Sequence, residues 1–210
     1  MSKTVLKLCF ISYALLLLSC AAPRIELPDY EGADVRDVLH EREQVENIES
    51  IFSIVFERED TEIKGSGALN LSRNGDMTLR VYSFGFLAFE LTSDNGIIKS
   101  SDPAIDRNKG ILLTYGLRDC LFWWDMDNRQ IAEDDNGYLL YNHARKVWLD
   151  RKTMLPTRQI IGLEDGRELD ISYKVPRKMD NMWFPSKIRI ELSAYAVVLN
   201  IKEMLCGPHS

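Results

Sequence analysis

Residues 77–91, Met77-Thr78-Leu79-Arg80-Val81-Tyr82-Ser83-Phe84-Gly85-Phe86-Leu87-Ala88-Phe89-Glu90-Leu91, decide the fold class. Met77, Leu79 and Val81 alternate with Thr78, Arg80 and Tyr82. After the Phe84-Gly85-Phe86 tip, Leu87, Phe89 and Leu91 alternate with Ala88, Glu90 and Thr92. Successive side chains of a strand point to opposite faces, so this pattern describes two half-buried strands joined by a tight turn.

The same period extends in both directions. Upstream, Leu69 and Leu71 alternate with Asn70 and Ser72 before an Asn74-Gly75 hairpin signal, and Phe52, Ile54 and Phe56 alternate with Ser53, Val55 and Glu57. Downstream, Asn95-Gly96 turns the chain again, and strands resume at about 138–142, 146–151, 157–163, 167–174, 184–193 and 195–205. Ile188, Ile190 and Leu192 against Lys187, Arg189 and Glu191 is the clearest of these, followed by Leu169, Ile171 and Tyr173 against Glu168, Asp170 and Ser172. One apolar face and one wet face are expected of an antiparallel sheet covered on one side.

Two segments break the period. From Asp34, a candidate N-cap, Val35, Val38, Leu39, Val45 and Ile48 trace one helical face, with the strand period beginning after about Ser50. Within 102–126, Asp102-Pro103 reads as a cap and first turn, and Leu117, Cys120, Leu121 and Trp124 fall at helical spacing with Gly116 as a break. Phe122 and Trp123 lie off that stripe, so the insertion packs inside something.

The expected fold is therefore mainly β (α+β): one curved antiparallel sheet of about 10–11 strands, because that many strands tend to curl. It would form an incomplete barrel lidded by an N-terminal helix and a mid-chain helical insertion. A closed barrel or sandwich without the insertion is the alternative.

The 210 residues, 45% hydrophobic and 28% charged, suit one globular domain. The amino terminus reads as an address. Lys3 and Lys7, an apolar run from Leu8 to Leu18, and Leu17-Leu18-Ser19-Cys20 resemble a bacterial lipoprotein signal whose Cys20 takes the lipid; an ordinary signal peptide that happens to contain a cysteine is the alternative. The expected divisions are a signal over 1–19, the lipidated cysteine and a tether with Pro23, Pro28 and Gly32 over 20–33, and one domain over 34–210. Loss of Lys3 and Lys7 takes the formal net charge from −6 to −8, which argues against nucleic acid and against electrostatic docking on anionic lipid. Attachment to the membrane would then rest on the lipid. Ala21 after the cysteine, by resemblance to lipoprotein sorting, directs the chain to the periplasmic face of the outer membrane.

Cys120 and Cys206 remain in the mature chain, either as a disulfide or as two buried thiols. His40, His143 and His209 are scattered, and no metal motif, nucleophile elbow or phosphate loop is present, so no enzyme and no cofactor is expected.

Gly65-Ser66-Gly67-Ala68-Leu69, Leu79-Arg80-Val81-Tyr82, Gly85 with Leu87-Ala88-Phe89-Glu90-Leu91, and Ile171-Ser172-Tyr173 followed by Phe184-Pro185-Ser186-Lys187-Ile188-Arg189-Ile190 carry a family resemblance. Over about Asp34 to Leu205 the chain resembles the Lol lipoprotein-localisation family, whose members are a periplasmic carrier, LolA, and an outer-membrane receptor, LolB; it looks closer to the receptor. The resemblance implies a half-barrel that binds acyl chains of lipoproteins or other lipids, with a LolA-like carrier as a partner. It implies an acyl cavity lined by Leu69, Leu79, Val81, Phe89, Leu91, Trp123, Trp124, Ile171, Ile188 and Ile190, and a membrane-insertion tip at Phe84, Gly85 and Phe86. In the receptor the tip is Pro-Leu-Gly; here Ser83 replaces the proline and Phe84 the leucine, and rings folded back into the core are the alternative. An assembly or scaffold lipoprotein that binds a protein partner and has no open cavity is the competing function. Gly67-Ala68-Leu69 with Arg73 also keeps the spacing of a carrier stretch whose arginine helps to close the lid. Asn74 stands where that stretch has proline, and Asn74-Gly75 reads as a plain turn, so Arg73 is expected to be a solvated turn residue.

Overall fold

In a computed structural model of the chain the described residues are 27–207, apart from 31, 60, 95–96, 102–105 and 180–181. The signal, Cys20, most of the tether, and the Asn95-Gly96 and Asp102-Pro103 signals lie outside them.

Twelve antiparallel strands form one unclosed sheet. They are β1 (Asn47–Arg58), β2 (Thr61–Ser72), β3 (Met77–Ser83), β4 (Phe86–Asp94), β5 (Ile97–Ser100), β6 (Gln130–Asp134), β7 (Gly137–Tyr141), β8 (Arg145–Asp150), β9 (Pro156–Gly162), β10 (Glu168–Met179), β11 (Met182–Leu192) and β12 (Tyr195–Gly207). The order across the sheet is β5-β4-β3-β2-β1-β12-β11-β10-β9-β8-β7-β6. Among the described strands the only neighbours distant in sequence are thus β1 and β12, which run side by side from Asn47 opposite Gly207 to Arg58 opposite Tyr195.

Alternation sets which face is buried. Leu69, Leu79, Val81, Leu91, Ile171, Ile188 and Ile190 all lie in the core, while Arg80 and Glu90, paired across β3 and β4, form an ion pair on the wet face. Leu87 departs from the expected pattern. A bulge shifts the register so that Val81 faces Phe89 but Tyr82 faces Leu87, and Leu87 is exposed.

Two helices are described. α1 (Val35–Arg42) is capped by Asp34, whose carboxylate accepts from the Arg36 N–H. It ends sooner than its apolar pattern suggests. Val45 lies in the following loop, and Ile48 belongs to β1, where Ile48, Ser50, Phe52 and Ile54 alternate inward. A helix and a strand burying onto one core leave a continuous run of apolar positions.

α2 joins an α-helix (Arg107–Ile111), a π turn (Leu112–Gly116) and an α-helix (Leu117–Leu121) into 15 continuous residues. Gly116 does not break it. A Cβ there would lie 3.0 Å from Ile190 Cγ2, so the glycine lets the helix approach β11 closely. The N-cap is Asp106, whose carboxylate accepts from the Lys109 N–H at 2.9 Å. That bond holds the Asp106 carboxyl below its ordinary pKa.

β6 carries no expected strand signal, since Ile131 is its only large apolar residue and it lies at the sheet edge. Neither remaining cysteine is disulfide-bonded. Cys120 is buried in α2 with its thiol donating to the Leu117 carbonyl, and Cys206 is half-buried on β12; burial pushes the Cys120 thiol pKa up.

Candidate functional site: tip, cavity and lids

The hairpin that decides the fold ends in a two-residue turn. Ser83 pairs with Phe86, and Phe84 (φ 51°) and Gly85 (φ 83°) both adopt the left-handed conformation. This is the type I′ pattern, in which asparagine followed by glycine is the usual choice. Phenylalanine in this conformation is strained, so a local propensity rule is broken at the tip. Phe84 is 98% exposed and Phe86 78% exposed, with Ile63 and Leu87 exposed nearby. The rings are not folded back into the core.

Beneath the tip lies an apolar cavity of about 210 Å³, lined by Ile54, Phe56, Gly65, Val81, Phe89 and Leu113 among others. Its walls include both strands of the tip hairpin. Lys109, on α2, stands 5.6 Å over the Phe56 ring at its edge. Gly65 is required there, because a Cβ would meet the Tyr82 carbonyl oxygen at 2.6 Å. A second, more polar groove of about 670 Å³ lies between Ile98 of β5, Ile161 of β9 and α2.

Of the expected cavity residues only Val81 and Phe89 line the apolar cavity. Leu69, Leu79, Leu91, Ile171, Ile188 and Ile190 share the expected face but lie in the closed core with Leu112, Leu117 and Leu121 of α2. Trp123 and Trp124 do not line open space. Both are fully buried, packed edge to face with centroids 5.4 Å apart, and Trp124 also contacts Phe122 and Phe184.

Polar contacts fasten both helical lids to the sheet. Arg73 is not a solvated turn residue: its Nε donates to Asp125 at 2.9 Å, just beyond α2, and its Nη1 donates to the Glu43 carbonyl at 2.9 Å and to Glu46 at 3.3 Å, just beyond α1. Burial works to lower its pKa, but the hydrogen bond and charge of Asp125 hold it above the ordinary value. Arg118 bonds both Asp125 and Asp119, and Arg129 pairs with Glu43. Arg145, buried on β8, donates to the carbonyls of Asp119, Phe122 and Asp125. With its amide oxygen accepting from Arg145 Nε (2.7 Å) and its amide nitrogen donating to the Tyr173 hydroxyl (2.5 Å), Gln159 continues the network. The sequence singles out only Arg73 and Tyr173 of this set. The carboxylates, scattered over chain segments, carry no spacing signal.

A further buried residue, Arg42, carries a signal in the helical period of α1. Arg42 occupies the i+7 place on the stripe Val35, Val38, Leu39, and it is buried like the other three.

Among the described residues no group of three or more His, Cys, Asp or Glu side chains converges as metal ligands, and no helix is long and apolar enough to cross a membrane.

The unclosed antiparallel sheet with its two helices is similar in fold to solved structures. The LolA superfamily protein NE2245 from Nitrosomonas europaea superposes with a TM-score of 0.56 at 10% identity, over 85% of this chain and 96% of that one. A DUF1329 family protein from Desulfovibrio piger superposes with a TM-score of 0.53 at 11% identity, over 86% and 94%. No family model and no curated protein matches the chain.

Proposed function

We propose that this chain is a lipid-anchored acyl-binding protein of the periplasmic face of the outer membrane, attached through Cys20. It receives the acyl chains of lipoproteins or other lipids from a LolA-like carrier and hands them to the membrane at Phe84-Gly85-Phe86. The observation that carries this reading is the juxtaposition at one hairpin: two exposed aromatic rings on a strained turn, directly over an apolar cavity walled by the same strands. Exposed aromatics on a monomer mark a contact surface, and a membrane accepts them without a specific partner. The fold shared with a LolA-superfamily protein supports it.

The second reading is an assembly or scaffold lipoprotein that binds a protein partner. The closed core favours it, since about 210 Å³ is below the 300–1,000 Å³ usual for ligand pockets and holds only part of a long chain. Acyl binding therefore requires a lid to move. Mass spectrometry of the protein extracted from membranes, together with titration by a fluorescent sixteen-carbon acyl probe, separates the readings. Co-purifying lipid and saturable uptake support the acyl-binding protein. Absence of both selects the scaffold.

A further inference from the structure

Among the described residues Arg42 and Arg145 are the buried cations, and their surroundings differ. Arg145 is surrounded by the carbonyls of Asp119, Phe122 and Asp125 and lies 3.4 Å from the Asp119 carboxylate. Arg42 has one hydrogen bond, from Nη2 to the Trp183 carbonyl at 3.0 Å. Its Nε and Nη1 have no partner, and neither do the indole N–H groups of Trp123 and Trp124. Its guanidinium carbon lies 5.2 Å from the Trp123 ring centroid, 5.6 Å from Trp124 and 5.6 Å from Phe184. Desolvation by burial pushes its pKa down to about 10, so it remains a cation at neutral pH.

Among the described residues, four donor nitrogens on one guanidinium and two adjoining indoles lack an acceptor, and no carboxylate stands at ion-pair distance. Three aromatic faces compensate a buried cation only in part. We propose that Arg42, with Trp123 and Trp124, receives the oxyanionic end of an acyl amphiphile, reached when α1 lifts from the sheet. This rests on the acyl-binding reading above and names the chemistry of its ligand. An inorganic anion would have to shed its water into an aromatic cage for these donors alone. An anion carried on an acyl chain brings apolar area that the half-barrel can bury. Arg42 rides on α1, so the closed state leaves the charge unpaired and the loaded state pairs it. That difference between the two states is what allows a ligand to shift the lid.

The test compares hexadecanoate, hexadecyl phosphate and hexadecanol, one chain length with a carboxylate, a phosphate or a neutral head, titrated into the full chain by calorimetry with tryptophan fluorescence in parallel. At least one oxyanion should bind roughly tenfold or more tighter than the alcohol, and which one does so distinguishes a fatty acid from a lipid phosphate as the source. Arg42→Met, which removes a buried charge and fills its place, should fold and bring the oxyanions to within about threefold of the alcohol. Trp124→Phe keeps a ring, deletes one donor and should narrow the preference in part. Equal binding of all three, or a preference that survives Arg42→Met, overturns the proposal while leaving acyl binding intact. Failure of all three to bind overturns both readings.

Discussion

The tip makes the most direct quantitative demand on the proposed function, and Phe84→Glu with Phe86→Glu is the perturbation that isolates it. At 98% and 78% exposure the two rings amount to nearly two full side chains still in water. Burying a phenylalanine side chain is worth about 1.5–3 kcal/mol, so inserting both stabilises a membrane-bound state by about 3–5 kcal/mol. Losing that term should weaken partitioning by about two to four decades. Neither ring packs in the core, so folding stability should change by less than about 0.5 kcal/mol. Because an N-terminal lipid would mask the effect, the chain starting at Ala21 is suited to the measurement. Flotation with vesicles gives the partition constant, and release of a fluorescent acyl ligand to acceptor vesicles gives the transfer rate. Both should collapse in the double variant while acyl binding in solution is kept. Unchanged flotation would refute insertion. A fall in the denaturation midpoint at constant m-value would show that the rings support the fold instead.

Three further outcomes follow from the lids and the sheet. Arg73→Ala removes charge-assisted bonds joining the ends of both lids, so the protein should lose about 1–3 kcal/mol and take up an acyl probe faster; unchanged uptake would reduce Arg73 to a structural role. The depressed pKa of Asp106 means that its capping contribution is present above the unfolded carboxylate value near 4 and is lost as pH falls through the folded one. Asp106→Asn, which caps without a charge, should flatten that acid limb, and an identical pH profile would count against the cap. Gly67→Ala places a Cβ 2.3 Å from Cε2 of the fully buried Phe52, so urea denaturation should show a loss of about 1–3 kcal/mol, and a neutral result would mean that Phe52 can turn aside.

Much of the sheet could be read from sequence because period two is a direct image of a sheet with one buried face. Leu79, Arg80 and Val81 each announce their side. β6 could not, since an edge strand with one apolar residue leaves no periodic trace. The bulge at Leu87 is equally silent, because Leu87-Ala88-Phe89 alternates whether or not the register slips. At the site, the tip was legible from aromatics flanking a turn glycine. The filled interior was not: a tryptophan on an inward face reads the same whether it lines a cavity or occupies one. Arg73 shows a local rule misleading, for Asn74-Gly75 does form the expected turn while the residue before it reaches across to both lids.

Under the proposed acyl binding, which lid would move follows from comparing burial with what one acyl chain can supply. A sixteen-carbon chain leaving water contributes on the order of 12 kcal/mol at about 0.8 kcal/mol per methylene. α1 holds its place with Val35, Val38 and Leu39, which at about 1.5–3 kcal/mol per side chain amount to about 5–9 kcal/mol. α2 and the turn after it bury Leu112, Leu113, Leu117, Leu121, Phe122, Trp123 and Trp124, about 10–21 kcal/mol by the same measure. One chain therefore exceeds the hold of α1 and does not reliably exceed that of α2. α2 would then be the lid that stays, consistent with its close approach to β11 at Gly116. α1 would then be the lid that moves: it is short, tied at its end through Arg73 and Arg129, and carries Arg42, whose Nε and Nη1 have no acceptor among the described residues. Hydrogen exchange of the free protein should show the α1 amides opening well before those of α2, and loading with an acyl chain should change protection at α1 while leaving α2 protected. Equal protection of both helices in the free protein, or loss of protection at α2 on loading, would reverse the assignment.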